Sequence, residues 1–323
     1  MSRLPEGAAP VKAGAAPSPS SPRPAAARRS PRRRRLLRSL PVYLLVLPAA
    51  LFYGVFVLRP IVLTAQYSLY DWNGIQPATW AGLANYVEVF TNPKLVGSIL
   101  NAFELIIYFS IVPVILALFA ANVIRGIATS RLSGIARTVL FLPQVIPLVA
   151  AGIMWSWQFS SNGMVNEVLR AVGLGAFARA WLGDFDTALP AVGVIGAWVA
   201  VGLCLILLLA GMSKIDQSLY EAARIDGAGP IREFVSITLP GVRQELAVCV
   251  IITVIAALAS FDIIYISTQG GPGNSTLVPG LQVYYLAFFD REIGTASALA
   301  LTLMALVLLV VLPLQRLLRG KES

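Results

Sequence analysis

Residues 221–240 read EAARIDGAGPIREFVSITLP, a polar stretch between two long apolar ones, and its chemistry decides how the rest of the chain is read. Asp216, just upstream, can cap a short helix over 217–225 by accepting from the free amides of its first turn. Ala222 and Ala223 keep one face of that helix thin, so another protein surface can come close to its backbone. Asp226-Gly227 is a stop signal, because glycine takes the left-handed conformation that ends a helix at little cost. Pro230 suits the first turn of a second helix, where its missing N–H is no loss. That helix is expected to lay Ile231, Phe234, Val235 and Ile237 against a membrane face, and Pro240 then resets the chain direction. A solvated connector between two helices has the same local features.

The flanks of the loop argue for a membrane protein. With 57% hydrophobic and 13% charged residues and a mean hydropathy of +0.75, the chain is too apolar for an ordinary soluble globule. Six apolar runs, at about 41–63, 99–124, 134–157, 189–212, 245–267 and 295–317, are each long enough to cross a bilayer, which takes about 20 residues. Each is apolar around most of its circumference, as lipid demands. Residues 1–36 are Pro, Ala, Ser and Arg with almost nothing to bury, and read as a disordered basic tail ahead of one membrane domain at 37–323. The first apolar run exceeds the roughly 7–15 residues of a cleaved signal peptide, so it reads as an uncleaved helix.

Ten of the 25 Lys and Arg lie before residue 39, so the net charge of +9 describes an arm and not a nucleic-acid face. Placing the N-terminus in the cytoplasm puts 20 basic residues on that side and 5 on the other. The positive-inside rule therefore makes both termini and the loop at 213–243 cytoplasmic. Trp72, Trp80 and Trp181 then fall in external loops, where interface anchors belong. The absence of histidine excludes His-based triads, zinc-type clusters and imidazole relays. Cys204 and Cys249 sit in apolar runs and read as small hydrophobes. Gly270 to Thr276 lacks the Gly-Lys-Ser/Thr ending of a phosphate loop, so no catalytic residue, cofactor or metal is expected.

Glu221-Ala222-Ala223, Gly227 and Ile237-x-Leu239-Pro240 share their spacing with a known element, and the segment resembles the EAA loop of ABC-importer permeases. Phe141-Leu142-Pro143, Trp155, Gly163, Asn166, Trp181-Leu182-Gly183-Asp184, Trp198 and Gly202 follow the order seen in sugar-type permeases. So do Phe261-Asp262, Thr268-x-Gly270-Gly271-Pro272, and Gly294 with Ala296-Ser297-Ala298. The resemblance covers most of the chain from about residue 41, and is to the six-helix carbohydrate-uptake branch that includes glycerol-phosphate and lactose permeases. One departure is Gln244, which stands about where a second proline often follows Pro240.

That resemblance implies an all-α integral membrane protein of the type I ABC importer architecture, in a bacterial plasma membrane. It implies a passive subunit, not an enzyme, forming half of a pathway for a sugar or oligosaccharide. Glu221, Ala222, Ala223, Asp226, Gly227, Ile237, Leu239 and Pro240 are the implied ATPase-coupling residues. The implied partners are a second, different permease, an ABC ATPase dimer and an extracytoplasmic solute-binding protein. Asp262, with Tyr265 three residues on, is either a lining residue of the pathway or a helix contact. Trp155 and Trp198 either stack on sugar faces or anchor at the interface, and Trp157 reads as an anchor. A permease for a non-sugar solute, a self-contained secondary transporter and a membrane scaffold are the rival readings.

Overall fold

The structure, a computed structural model, describes residues 45–127 and 130–318. The tail read at 1–36 lies outside the described residues. The chain divides into two units, one up to Leu58 and one from Arg59. Described residues of the first are helical and carry no buried side chain.

Helix α1, Leu45–Tyr67, leads to a small hairpin of β1 (Tyr70–Asp71) and β2 (Thr79–Trp80), with Tyr70 opposite Trp80. Then come α2 (Ala84–Thr91), α3 (Pro93–Gly126), α4 (Arg131–Val145), α5 (Leu148–Gln158) and α6 (Met164–Ala171). The long α7 (Ala188–Met212) leads into α8 (Gln217–Ile225), α9 (Pro230–Gly241) and α10 (Arg243–Leu258). Finally come the short α11 (Asp262–Ser267), α12 (Pro279–Tyr285) and α13 (Ile293–Leu318).

Among the described residues, four helices are long and apolar enough to cross a membrane: α1, α3, α7 and α13. The count reaches six if two bent pairs are each one span: α4 with α5, turned by 100°, and α9 with α10, turned by 71°. Hydropathy reads 134–157 and 245–267 as unbroken runs, and the backbone corrects both. The first breaks at Pro147, whose fixed φ and missing N–H end α4. The second ends at Leu258, and Asp262 opens a separate helix after a break. Hydropathy is blind to such breaks because the residues across them stay apolar.

Prolines leave a second mark. Wide π turns at Gly54–Leu58, Ile107–Ile111 and Phe234–Thr238 each end two residues before a proline, at Pro60, Pro113 and Pro240. A proline in a helix clashes with the carbonyl four residues back and donates nothing to it. A π turn shifts that carbonyl out of register, so the helix can run on through the proline.

The core of the second unit is arranged along α7. Its first half, with Val192, Ile195 and Val199, packs with Phe109 of α3, Ala151 of α5 and Ile263 of α11. Its second half, with Cys204, Leu205, Leu208 and Met212, packs with Ala117 and Ala121 of α3 and with Val242 and Cys249. Both cysteines are free and buried. Glycines on α7 admit the neighbours: Gly196 lies against the Phe109 ring, and Gly202 against the backbone of Leu140 and Phe141.

Candidate functional site

The segment from Ser213 to Gly241 is a two-helix loop with defined ends. Asp216 caps α8 by accepting from the Ser218 amide at 2.9 Å. Bonds from the Ser218 backbone and hydroxyl hold the Asp216 carboxyl below its ordinary range. At the other end, the Ala228 amide donates to the Ala223 carbonyl at 2.8 Å and the Gly227 amide to the Arg224 carbonyl at 3.0 Å. This pair of bonds is the Schellman closure, and it requires the φ of +75° found at Gly227. A Cβ at Gly227 would meet nothing within 4 Å, so the glycine is needed for its backbone angle alone.

Several ties hold the loop in shape. The Tyr220 hydroxyl and Thr238 Oγ1 are 3.0 Å apart, both buried, and link α8 to α9. Arg224 Nε donates to Glu233 Oε1 at 2.9 Å across the turn, so the buried Glu233 carboxyl has a cationic partner. Lys214 Nζ donates to Glu245 Oε1 at 2.7 Å, fastening the loop to α10. The Arg125 guanidinium stands 4.0 Å from the centre of the Tyr220 ring. None of these partners is readable from the spacing that marked the loop; a buried aromatic in a polar helix was the available signal. Facing outward are Glu221 and Ala222, with Leu219, Ile225, Ile231 and Val235 as exposed apolar side chains. Among the remaining residues singled out by sequence, Asp226, Gly227 and Pro240 are exposed, while Ala223, Ile237 and Leu239 are half-buried.

The second set of residues gathers near the break after α10. Asp262 is the first residue of α11 and is exposed, not enclosed in a continuous span. There it meets the positive end of that helix. It lines a cavity of about 340 Å³ with Phe109, Gln144, Thr253, Ser260 and Phe261. Ser260 Oγ is buried and without a hydrogen-bond partner among the described residues. Tyr265 instead joins an aromatic group, 5.3 Å from Phe261 and 5.5 Å from Tyr284 between ring centres. Trp155 and Trp198 meet edge to face at 5.6 Å and pack on the same core without lining the cavity. The structure therefore separates Asp262 from the other three residues grouped with it by sequence.

Trp157 is 74% exposed, as an anchor would be. Trp181 differs from the anchor reading: it packs against Phe159 and donates to Asn166 Oδ1 at 2.9 Å. Buried Asn166 also donates to the carbonyls of Ser160 and Arg179, so it gathers the loop between α5 and α7. Sequence reasoning also missed a polar cavity of about 350 Å³ with Asp71, Glu88 and Glu292 on its wall. Burial, then the charges of Glu88, Asp290 and Asp71, raises the Glu292 pKa above its usual 4.5.

Several long apolar helices, one of them enclosed in the core of the second unit, with two broken pairs and a capped cross-braced loop, define a multi-pass membrane subunit. Residues 113–320 match the family of the binding-protein-dependent transport system inner membrane component, and the chain belongs to it, as a permease of ABC importers. It is 34% identical to the diacetylchitobiose uptake system permease protein NgcF of Streptomyces coelicolor, over 89% of this chain and 85% of that one. Identity is also 34% to the lactose transport system permease protein LacF of Rhizobium radiobacter, over 76% of this chain and 83% of the relative. The fold matches a chain of a bacterial ABC transporter involved in import of the acidic polysaccharide alginate. That match has a TM-score of 0.77 at 23% identity and covers 91% of this chain and 100% of the other.

Proposed function

We propose that this subunit forms one half of the pathway of an ATP-driven importer for a neutral sugar or oligosaccharide. The loop from Ser213 to Gly241 is its docking surface for an ATPase. The carrying observation is the loop's construction: a closed, cross-braced helix pair that presents Glu221, Ala222 and the apolar side chains of Leu219, Ile225, Ile231 and Val235 outward. A connector needs no such rigidity. Support for the substrate class comes from relatives named for diacetylchitobiose and lactose. Among the described residues no basic side chain lines the cavity beside Asp262, which favours an uncharged substrate.

In this reading both termini and the loop are cytoplasmic, and a second permease completes the pathway. A solute-binding protein delivers the sugar from outside, and nucleotide-driven closure of an ATPase dimer moves the loop. Asp262 accepts from substrate hydroxyls in the path, while Tyr265, Trp155 and Trp198 pack the aromatic core behind it. The test is reconstitution of this chain with its neighbouring permease and ATPase in proteoliposomes. Sugar uptake should require ATP on the loop side and binding protein on the other. Uptake driven by an ion gradient without ATP would overturn the proposal in favour of a secondary transporter.

A further inference from the structure

We propose that Arg125 is the joint through which the Ser213–Gly241 loop moves α3, by clamping α8 onto the end of that helix. This rests on the docking role proposed for the loop. Arg125 is the penultimate residue of α3, and its guanidinium lies over the Tyr220 ring. Tyr220 is the one buried side chain of α8, at 1% exposure. Through its hydroxyl the same ring holds Thr238 of α9. One aromatic ring therefore joins three elements: α8 by its own backbone, α9 by a hydrogen bond and α3 by the cation.

The bonding of Arg125 suits a joint better than a fixed brace. A guanidinium buried for packing alone is expected to have its N–H groups bonded. Here Nε is buried without a hydrogen-bond partner among the described residues, and Nη2 reaches Asn122 Oδ1 only at 3.5 Å. The ring face is what holds the cation, an attraction of roughly twofold to thirtyfold in an equilibrium that grows as water is excluded. Such a contact has no strict angular demand and can slide while it holds.

Other ties of the loop reach α9, α10 and the core beside α7. Lys214 binds Glu245 of α10, and Ile215 packs on Gly241 at the end of α9. Motion of the loop thus reaches α10 along the chain, whereas Arg125 carries it to α3. Spanning 34 residues, α3 carries Phe109 on the wall of the cavity that Asp262 lines. The clamp therefore connects the docking surface to that cavity through one continuous helix, whose π turn at Ile107–Ile111 carries Phe109 at the cavity end.

The experiment measures both ATP hydrolysed and sugar taken up by the complete transporter in proteoliposomes. Arg125→Ala should assemble and hydrolyse ATP, with uptake per ATP lowered by roughly fivefold. Tyr220→Leu removes the same contact and the Thr238 bond with it, so the double variant should be no worse than Tyr220→Leu alone. Arg125→Lys and Tyr220→Phe keep a cation and a ring, and should recover most of the ratio. Should Arg125→Ala fail to insert, Tyr220→Leu still reads the ratio with the cation in place. Uptake and hydrolysis falling together in proportion to assembled complex would make Arg125 a packing residue and overturn the inference. Additive effects of the two substitutions would overturn it too. Normal uptake per ATP in Arg125→Ala overturns this inference alone, whereas a wild-type chain that binds no ATPase overturns the docking reading as well.

Discussion

At Gly227 the demand on the residue is purely conformational, which makes it a clean probe of the loop. Its φ of +75° is open to glycine and asparagine, while a β-branched residue there is strained by roughly 1–2 kcal/mol. No neighbour lies within 4 Å of a Cβ at this position, so a substitution disturbs the turn and nothing else. Gly227→Val should therefore insert and pair with its partner permease, yet lose most uptake and most of the stimulation of ATP hydrolysis by loaded binding protein. Gly227→Asn should retain both. Equal activity of the two variants, measured side by side, would reduce the loop to a connector. Asp262 poses a different question, because its place at the start of α11 explains a carboxylate without any substrate. Asp262→Asn keeps the size and an acceptor, so assembly should survive while sugar uptake or preference changes. Unchanged uptake across a panel of sugars would leave that carboxylate as a charge placed at the positive end of a helix.

Among the elements, sequence chemistry located each long helix but not the way two of the apolar runs fold. Capping and stop signals specify α8 almost completely: Asp216, Gly227 and Pro230 each act locally, and each takes the place that its chemistry demands. The break at Pro147 and the break after Leu258 depend on packing against α7 as well as on composition, so a hydropathy profile passes over them. Asn166 and Tyr220 belong to the same class of omission. Their hydrogen-bond partners lie 5 to 18 residues away, and Arg125 stands over the Tyr220 ring from far back in the sequence; all are chosen by the folded chain. Glycines on α7 offer an element-scale test. At Gly202 a Cβ would stand 2.8 Å from the Leu140 carbonyl oxygen and 2.9 Å from Phe141 Cα. Backbone cannot yield as a side chain end can, so Gly202→Val should push α4 off α7. The expected cost is about 1–3 kcal/mol, seen as a lower unfolding temperature of the purified subunit in detergent. A variant of unchanged stability would show that the α4–α7 contact is loose.

For the whole molecule, the decisive quantity is which face of the membrane each loop occupies. Charge asymmetry, 20 basic residues against 5, favours one orientation, and the same orientation puts the two-helix loop on the side where an ATPase would be. A labelling experiment needs positions that are accessible in the folded chain, which Ser133, at 2% exposure, is not. Ala176, in the loop between α6 and α7, and Ser218, in α8, are both exposed. They fall on opposite sides in the proposed topology. Single cysteines at these positions, in a chain lacking Cys204 and Cys249, should respond differently to a membrane-impermeant thiol reagent applied to intact cells. Ala176→Cys should label at once, and Ser218→Cys only after the membrane is opened. Both native thiols are buried, so replacing each with alanine should leave insertion intact. The reverse pattern would turn the docking loop outward, where no ATP is available. Labelling of both positions in intact cells would mean that α7 does not cross the bilayer. That outcome would conflict with its length of 25 residues, whose apolar stretch reaches a mean hydropathy of 2.7, and with the core that packs along nearly its whole length.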